Sequence, residues 1–311
     1  MDPFTRLPND FVYKILFRTS LLDASRYAVI KSGFKSSVES DIKLQKSSSM
    51  DPFRRLSEDC VCEILSRTSQ LDASRCAVIS KGFNSAVESD IVWHKFLPSD
   101  YSEIVSRSVS PVVYRNNKEL YFTLCHSPIL LDAGKLSFSL EKRSGKKCYM
   151  IGAKELSIAW GETPMYWKWP SHTDSRFSEV ALLRFVCWLD IRGKIETQML
   201  SPNTLYGAYL VFKLTERAYG LESAKSIVRV VNDEADCDAE ERASYVQLQG
   251  EGVPVRRGDG WMEIEMGNIY NDEGGDGEVE ARLIEIWELH GKSGLIVEGI
   301  EFRPKMPPVG F

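Results

Sequence analysis

Three tryptophans and a tyrosine fall within ten residues at 160–169 (WGETPMYWKW), around a turn signalled by Gly161 and Pro164. Flat aromatic faces suit the apolar face of a pyranose ring, and a turn at the end of strands would hold them toward solvent. Trp160 shares a strand face with Leu156 and Ile158, which favours burial in a core; Trp167 and Trp169 lie past the turn and are expected to be partly exposed. Covalent chemistry has less to work with. His94, His126, His172 and His290 are far apart, and none sits with cysteine or carboxylate at metal spacing, so no metal and no other cofactor is expected. The run NDEGGDGE at 271–278 lacks the alternating ligands, sixth-position glycine and terminal glutamate of a calcium loop. Cys125 beside His126 is adjacency only, and neither GxSxG nor a P-loop is present. A glycosidase would need two carboxylates about 5 to 9.5 Å apart across a groove, and no motif points to such a pair. A binding protein rather than an enzyme is the expectation.

Composition narrows the class further. A length of 311 residues gives room for about two domains. The 43% hydrophobic and 27% charged content is that of a globular protein, and a net charge of −5 without a basic stripe argues against nucleic acid as a partner. Seven cysteines at 60, 62, 76, 125, 148, 187 and 237 form neither a CxxC pair nor a disulfide framework, which fits reduced thiols in cytoplasm or nucleus. The first ten residues lack the basic and apolar regions of a secretory signal. The longest apolar stretch, 180–189, is interrupted by Arg184 and too short to span a bilayer, so no membrane partner is expected.

The elements that would position the aromatic stretch begin where the hydrophobic period becomes two. Leu156, Ile158 and Trp160 alternate with polar neighbours; Val186, Trp188 and Asp190, then Ile195, Thr197 and Met199, continue the pattern around Arg192-Gly193. Further strands are predicted at 206–214, 227–231, 244–248, 261–266, 278–287 and 295–303, with acidic, mobile loops at 232–242 and 271–277. Short strands between Gly-, Pro- and Asp-rich turns predict a jelly-roll-like antiparallel β-sandwich over 119–305, opening with a short helix and a hairpin turned at 143–146, and followed by a tail at 306–311. Upstream the period is helical. Val61, Ile64 and Leu65 give a short helix one apolar face, Asp72 offers an N-cap to a second carrying Ala73, Ala77 and Val78, and Phe83, Val87, Ile91 and Trp93 mark a third. About 45 residues bury only a thin core, so such a module favours a partner that completes it. A helical linker is predicted over 100–118. The fold class is thus α+β and multidomain. Residues 1–46 repeat 50–95 at an offset of 49, but Leu44 stands where the second copy has Trp93, and Lys31-Ser32 replaces Ser80-Lys81; 1–49 is read as a degenerate copy.

Leu56-Ser57-Glu58-Asp59, Glu63 to Ser66, Leu71-Asp72, Val78 to Lys81, Phe83 and Asp90 to Trp93 resemble the F-box, with Ser57 where proline is usual and Phe83 where many members have tryptophan. The resemblance covers 50–99. It implies binding to the Skp-type adaptor of an SCF-type cullin-RING ubiquitin ligase through Leu56, Ile64, Leu65, Leu71, Val78 and Trp93.

A second resemblance covers roughly 118–305. Lys154 to Trp160 with Tyr166-Trp167, Val186 to Ile195, Leu205 to Lys213, Asp259 to Glu263, and Lys292 to Leu295 through Pro304-Lys305 are similar to the plant phloem lectin domain of phloem protein 2 type. That resemblance implies binding of N-acetylglucosamine oligomers by two tryptophans seven apart, Trp160 and Trp167, and by late carboxylates, Glu278 and Glu285. Residues seven apart fall on opposite faces of a regular strand, so this mapping requires a bulge. Together the resemblances imply the substrate-recognition subunit of a ubiquitin ligase, not itself catalytic, that captures a target protein or a glycan of N-acetylglucosamine type. The alternative is a free nucleocytoplasmic lectin.

Overall fold

The computed structural model describes residues 58–78, 81–231, 243–250, 254–272 and 277–305, and the chain divides into two compact units. The first repeat, Leu56, the loop residues 232–242 and 273–276 and the 306–311 tail lie outside the described residues.

The helical unit contains α1 (Glu58–Ser66), α2 (Gln70–Cys76), α3 (Lys81–Glu88) and α4 (Asp90–Phe96), with residues 113–123 and 142–145. Four helices form where periodicity predicts three, because Ser89 adopts an extended conformation (φ −68°, ψ 132°) and divides the last run in two. The cap of α2 is Ser69, not Asp72. Ser69 Oγ accepts from the Asp72 backbone N–H at 3.1 Å and donates to the Asp72 carboxylate at 2.7 Å, so each residue satisfies the other. Trp93 is the centre of this unit's core. Its ring packs 5.5 Å from Phe96, 5.3 Å from Tyr121 and 5.1 Å from Phe122, and its Nε1 donates to the Val87 carbonyl at 2.6 Å. Burying roughly 200 Å² of indole at about 25 cal/mol per Å² contributes about 5 kcal/mol before ordering costs.

The second unit opens with α5 (Tyr101–Ser106), in the stretch predicted as linker; no further helix forms until α6 (Asn117–His126), which the unit boundary divides after Thr123. Its strands are β1 (Ile129–Leu131), β2 (Leu136–Leu140), β3 (Lys147–Gly152), β4 (Ser157–Ile158), β5 (Trp167–Lys168), β6 (Ala181–Leu183), β7 (Leu189–Glu196), β8 (Thr204–Tyr219), β9 (Ala224–Val231), β10 (Ser244–Val246), β11 (Val255–Arg256), β12 (Met262–Asn271), β13 (Glu278–Glu285) and β14 (Ser293–Pro304). They make two antiparallel sheets. The larger runs β1-β2-β3-β14-β8-β12-β11, with β6 paired to β14 and β5 to β6; the smaller runs β10-β9-β13-β7-β4.

Inward-facing apolar residues of the two sheets form the sandwich core. In β7 these are Leu189, Ile191 and Ile195, while Asp190, Arg192, Lys194 and Glu196 face outward. The strand runs unbroken through Arg192-Gly193; of the period-two set Val186, Trp188 and Asp190, Val186 and Trp188 precede it and Asp190 lies in it and points out. Gly193 is there for closeness. A Cβ at this position would stand 3.0 Å from Leu156 of the same region and 3.1 Å from Ile300 of the opposite sheet. The sheets are also tied by a polar contact, Ser226 Oγ donating to the Met266 carbonyl at 2.6 Å.

Candidate functional site

Two surfaces answer to the predicted binding residues, one in each unit. On the helical unit, the six adaptor-facing candidates separate. Val78 is 91% exposed, Leu71 is also exposed and Ile64 is half-buried, whereas Leu65 and Trp93 have no accessible surface. Leu65 and Trp93 therefore build the module, since a side chain packed on all sides offers a partner nothing to touch. Ile91, which periodicity alone would place in the core, is exposed, because α4 turns Val92, Trp93 and Phe96 inward instead. Among the described residues of helices α1 to α4 and their connections, Leu71, Val78 and Ile91 are the large apolar side chains left in solvent. Burial raises the Cys62 thiol and pushes that of Cys76 up to about 11, which leaves little thiolate to act as a nucleophile.

The second surface is the end of the sandwich where β4 and β13 finish and β7 begins. β4 stops at Ile158, and the chain turns with Trp160 in the left-handed region at φ 62°. A bulky residue adopts that conformation only when its surroundings enforce it. Two indoles do so here. Trp167 Nε1 donates to the carbonyl of Ala159 and Trp169 Nε1 to that of Gly161, each at 3.1 Å, so the peptide oxygens on either side of Trp160 are both held. The Lys154 ammonium lies 4.2 Å from the Trp169 ring, and the Tyr166 ring stands edge-on to Trp160 at 6.2 Å. The expected exposures of Trp160 and Trp167 are thus reversed, Trp160 being 56% exposed and Trp167 only 2%, while Trp169 is partly exposed as expected. The displayed ring is Trp160; Trp167 and Trp169 are its braces.

The two late carboxylates do not meet. β13 pairs in continuous register with both neighbours, from Glu278↔Glu196 to Glu285↔Leu189, so no bulge brings the two glutamates to one face. They stand seven residues apart, about 23 Å along a strand. Glu278 is exposed and paired with Lys194 at 2.8 Å, at the end of the strand away from Trp160. Glu285 lies at the aromatic end but is buried, accepting the backbone N–H groups of Trp287 and Glu288 at 2.9 and 3.1 Å.

Behind Glu285 is a residue no periodicity announces. Lys292 is fully buried; its ammonium donates to the carbonyls of Cys187, Glu288 and His290 at 3.0, 2.8 and 3.1 Å and faces the Glu285 carboxylate at 4.0 Å. A buried lysine is tolerable only when its donors are satisfied and its charge is met. Here that requirement knits two loops together, 185–188 and 286–291, each of which carries an exposed tryptophan, Trp188 and Trp287. Gly291 lets them close, since a Cβ there would lie 2.4 Å from the Phe185 ring. On the outer face alongside, Asp190 accepts from Arg282 at 2.9 Å and Arg192 at 2.7 Å. Burial drives its carboxyl upward, but these two guanidinium groups outweigh it and hold the group below the usual carboxylate range. Among the described residues no three His, Cys, Asp or Glu side chains come together as metal ligands would.

The arrangement is that of a β-sandwich displaying braced aromatic rings, joined in sequence to a helical module with apolar side chains in solvent. Residues 53–95 match the F-box domain family and residues 146–304 match the Phloem protein 2 family. F-box protein PP2-B10 of Arabidopsis thaliana is 44% identical over 315 residues, spanning 97% of this chain and 94% of its own. F-box protein PP2-B1 of the same plant is 36% identical over 97% of this chain and 90% of its own. The chain belongs to the F-box proteins with a phloem protein 2 domain. At the level of that family, its domain pair supports a substrate-recognition role in an SCF ligase. Among solved structures, the CBM27-1 module of Caldicellulosiruptor saccharolyticus in complex with mannohexaose aligns with 10% identity and a TM-score of 0.29 over 51% of this chain and 98% of its own, too loose a match to bear on function.

Proposed function

We propose that the chain is the substrate-recognition subunit of an SCF-type cullin-RING ubiquitin ligase: residues 50–99 dock the Skp-type adaptor and the sandwich captures a target in cytoplasm or nucleus. The observation that carries this reading is the pair Leu71 and Val78, apolar side chains in solvent within the stretch matched as an F-box. Each exposed branched side chain gains about 1.5 to 3 kcal/mol on full burial, which an adaptor surface would supply. The chain performs no covalent step in this scheme. Its contribution is proximity, holding a target lysine near the charged ubiquitin-conjugating enzyme and raising the effective concentration of the reactants. The second copy is the one that docks. In the first, Leu44 replaces Trp93 and with it the indole N–H that ties the last helix to Val87.

The target-facing reading is a glycan of N-acetylglucosamine type stacked on Trp160, whose display is enforced by two other tryptophans. Copurification with the adaptor tests the ligase role. A Leu71→Asp, Val78→Asp double variant should lose the adaptor by at least about tenfold with an unchanged melting temperature, and removal of residues 1–49 should leave binding intact. Retention of the adaptor by the double variant would refute the assignment and favour the free lectin. Trp160→Ala should abolish binding to chitooligosaccharides; a parent protein that binds none shows that the sandwich recognises its target by other means.

A further inference from the structure

A second aromatic station lies on the outer face of the smaller sheet. Tyr245 of β10 pairs with Lys225 of β9, and Lys225 pairs with Ile284 of β13, so the three residues form one row across neighbouring strands on one face. The Lys225 ammonium sits 4.0 Å from the centroid of Trp287 and 5.6 Å from that of Tyr245. Both rings are in solvent, 45% and 75% exposed, and Ile284 beneath is fully buried and gives the row an apolar floor. Trp287 is not on a loose loop: its N–H is held by Glu285, whose neighbour Lys292 fixes the backbone that follows. Among the described residues no carboxylate forms an ion pair with Lys225.

We infer that this station binds a saccharide carrying a carboxylate, of the uronic acid class. The inference rests on the carbohydrate reading of the sandwich and names a class of ligand for it. The geometry favours such a ligand on two counts. With 4.0 and 5.6 Å from the same ammonium, the two ring centroids are at most about 10 Å apart, room for adjacent pyranoses to lie on both rings. A ligand seated there takes water away from the ammonium, and a lysine losing water needs a counter-charge. A uronate brings that charge on the same ring that stacks, whereas a neutral sugar brings none. An acidic peptide brings charge but no flat apolar face for each aromatic ring.

The test is a titration of the full chain with trigalacturonate, with chitotriose as the neutral saccharide and with a hexaglutamate peptide, for the parent, Lys225→Gln and Trp287→Ala. The parent should bind trigalacturonate, more weakly as salt is raised. Lys225→Gln should weaken that binding by about tenfold while leaving chitotriose unchanged, and Trp287→Ala should weaken it at least as much. Because Lys225 is partly exposed and, among the described residues, in no ion pair, its variant reports on the site even if Trp287→Ala perturbs the loop. Chitotriose binding without trigalacturonate binding, or a Lys225→Gln variant within twofold of the parent, overturns the inference and leaves the carbohydrate reading standing. Equal affinity for hexaglutamate with the same dependence on Lys225 overturns it in favour of an acidic protein. Failure of both saccharides to bind the parent brings down the carbohydrate reading as well.

Discussion

Among the described residues of the helical unit the buried charged side chain is Asp72, tied to Ser69 at the start of a helix; in the sandwich Lys147, Glu263, Glu280, Glu285, Lys292, Glu298 and Glu301 are all buried. The difference continues at the surface. The helical unit buries Phe83, Trp93, Phe96 and Tyr121 and leaves Leu71, Val78 and Ile91 among its helices in solvent, apolar side chains that another apolar surface would cover. The sandwich has enough aliphatic core to keep tryptophans outside, and it uses buried polar groups to hold the loops that carry them. One unit is organised by packing and leaves apolar side chains for further packing. The other sets its exposed tryptophans by hydrogen bonds, whose direction fixes where a ring points.

The largest effect that would test this contrast is at Trp93. Trp93→Ala should cost the upper part of the about 3–5 kcal/mol seen when a large aromatic is removed from a core, because the Val87 carbonyl loses its donor as well. Hydrogen exchange should rise across residues 58–97, and the adaptor should be lost together with the fold, unlike the surface double variant that loses the adaptor alone. Protection unchanged across those helices would show that the unit is not built around Trp93.

Lys292 is the corresponding centre of the sandwich end, and Lys292→Ala should follow in size. Removing one member of a fully buried pair costs about 3–5 kcal/mol, here with the carbonyls of Cys187, Glu288 and His290 left without their donor. Chemical denaturation should show the loss, and fluorescence of Trp188 and Trp287 should shift to the red as the loops open. A loss below about 1 kcal/mol would mean that apolar contacts, not the ammonium, set these loops.

Much of this contrast was legible beforehand and part was not, for physical reasons. Period-two alternation beyond residue 156 and the short-turn composition predict an antiparallel sandwich, and the apolar sets around Val61, Leu65 and Phe83 predict helices, because burial of one face leaves a period behind. Exposure at a turn leaves none. Counting alternation from Leu156 through Trp160 assumes that β4 continues, whereas it ends at Ile158 and the carbonyls of Ala159 and Gly161 are each held by an indole N–H eight positions later, a cause outside the strand's own period. Glu278 and Glu285 fail as a pair because spacing does not say whether a strand is bulged. Leu65 and Trp93 fail as contact residues because a motif match does not separate the side chains that build a module from those that face its partner. A buried lysine such as Lys292 has no periodic signature at all.

The smallest effect is at Glu298 and is read as a sign. Glu298 is the extra residue of a β-bulge in β14, between Val297 and Gly299. One carboxylate oxygen accepts from the Arg176 N–H at 3.0 Å and the Ser175 hydroxyl at 3.2 Å, and the other has no hydrogen-bond partner. Burial raises its pKa above the ordinary 4.5, and the nearby N–H and guanidinium of Arg176 offset this only in part. A carboxyl whose folded pKa is raised stabilises the fold fully below the unfolded value and progressively less as pH rises through the folded value. Glu298→Gln mimics the protonated form and keeps an oxygen for Arg176 and Ser175. Its melting temperature relative to the parent should therefore be more favourable at pH 7 than at pH 4, by a few degrees at most. The opposite slope would mean that the Arg176 charge, not burial, governs this carboxyl, and that the sandwich holds its buried acids by pairing alone.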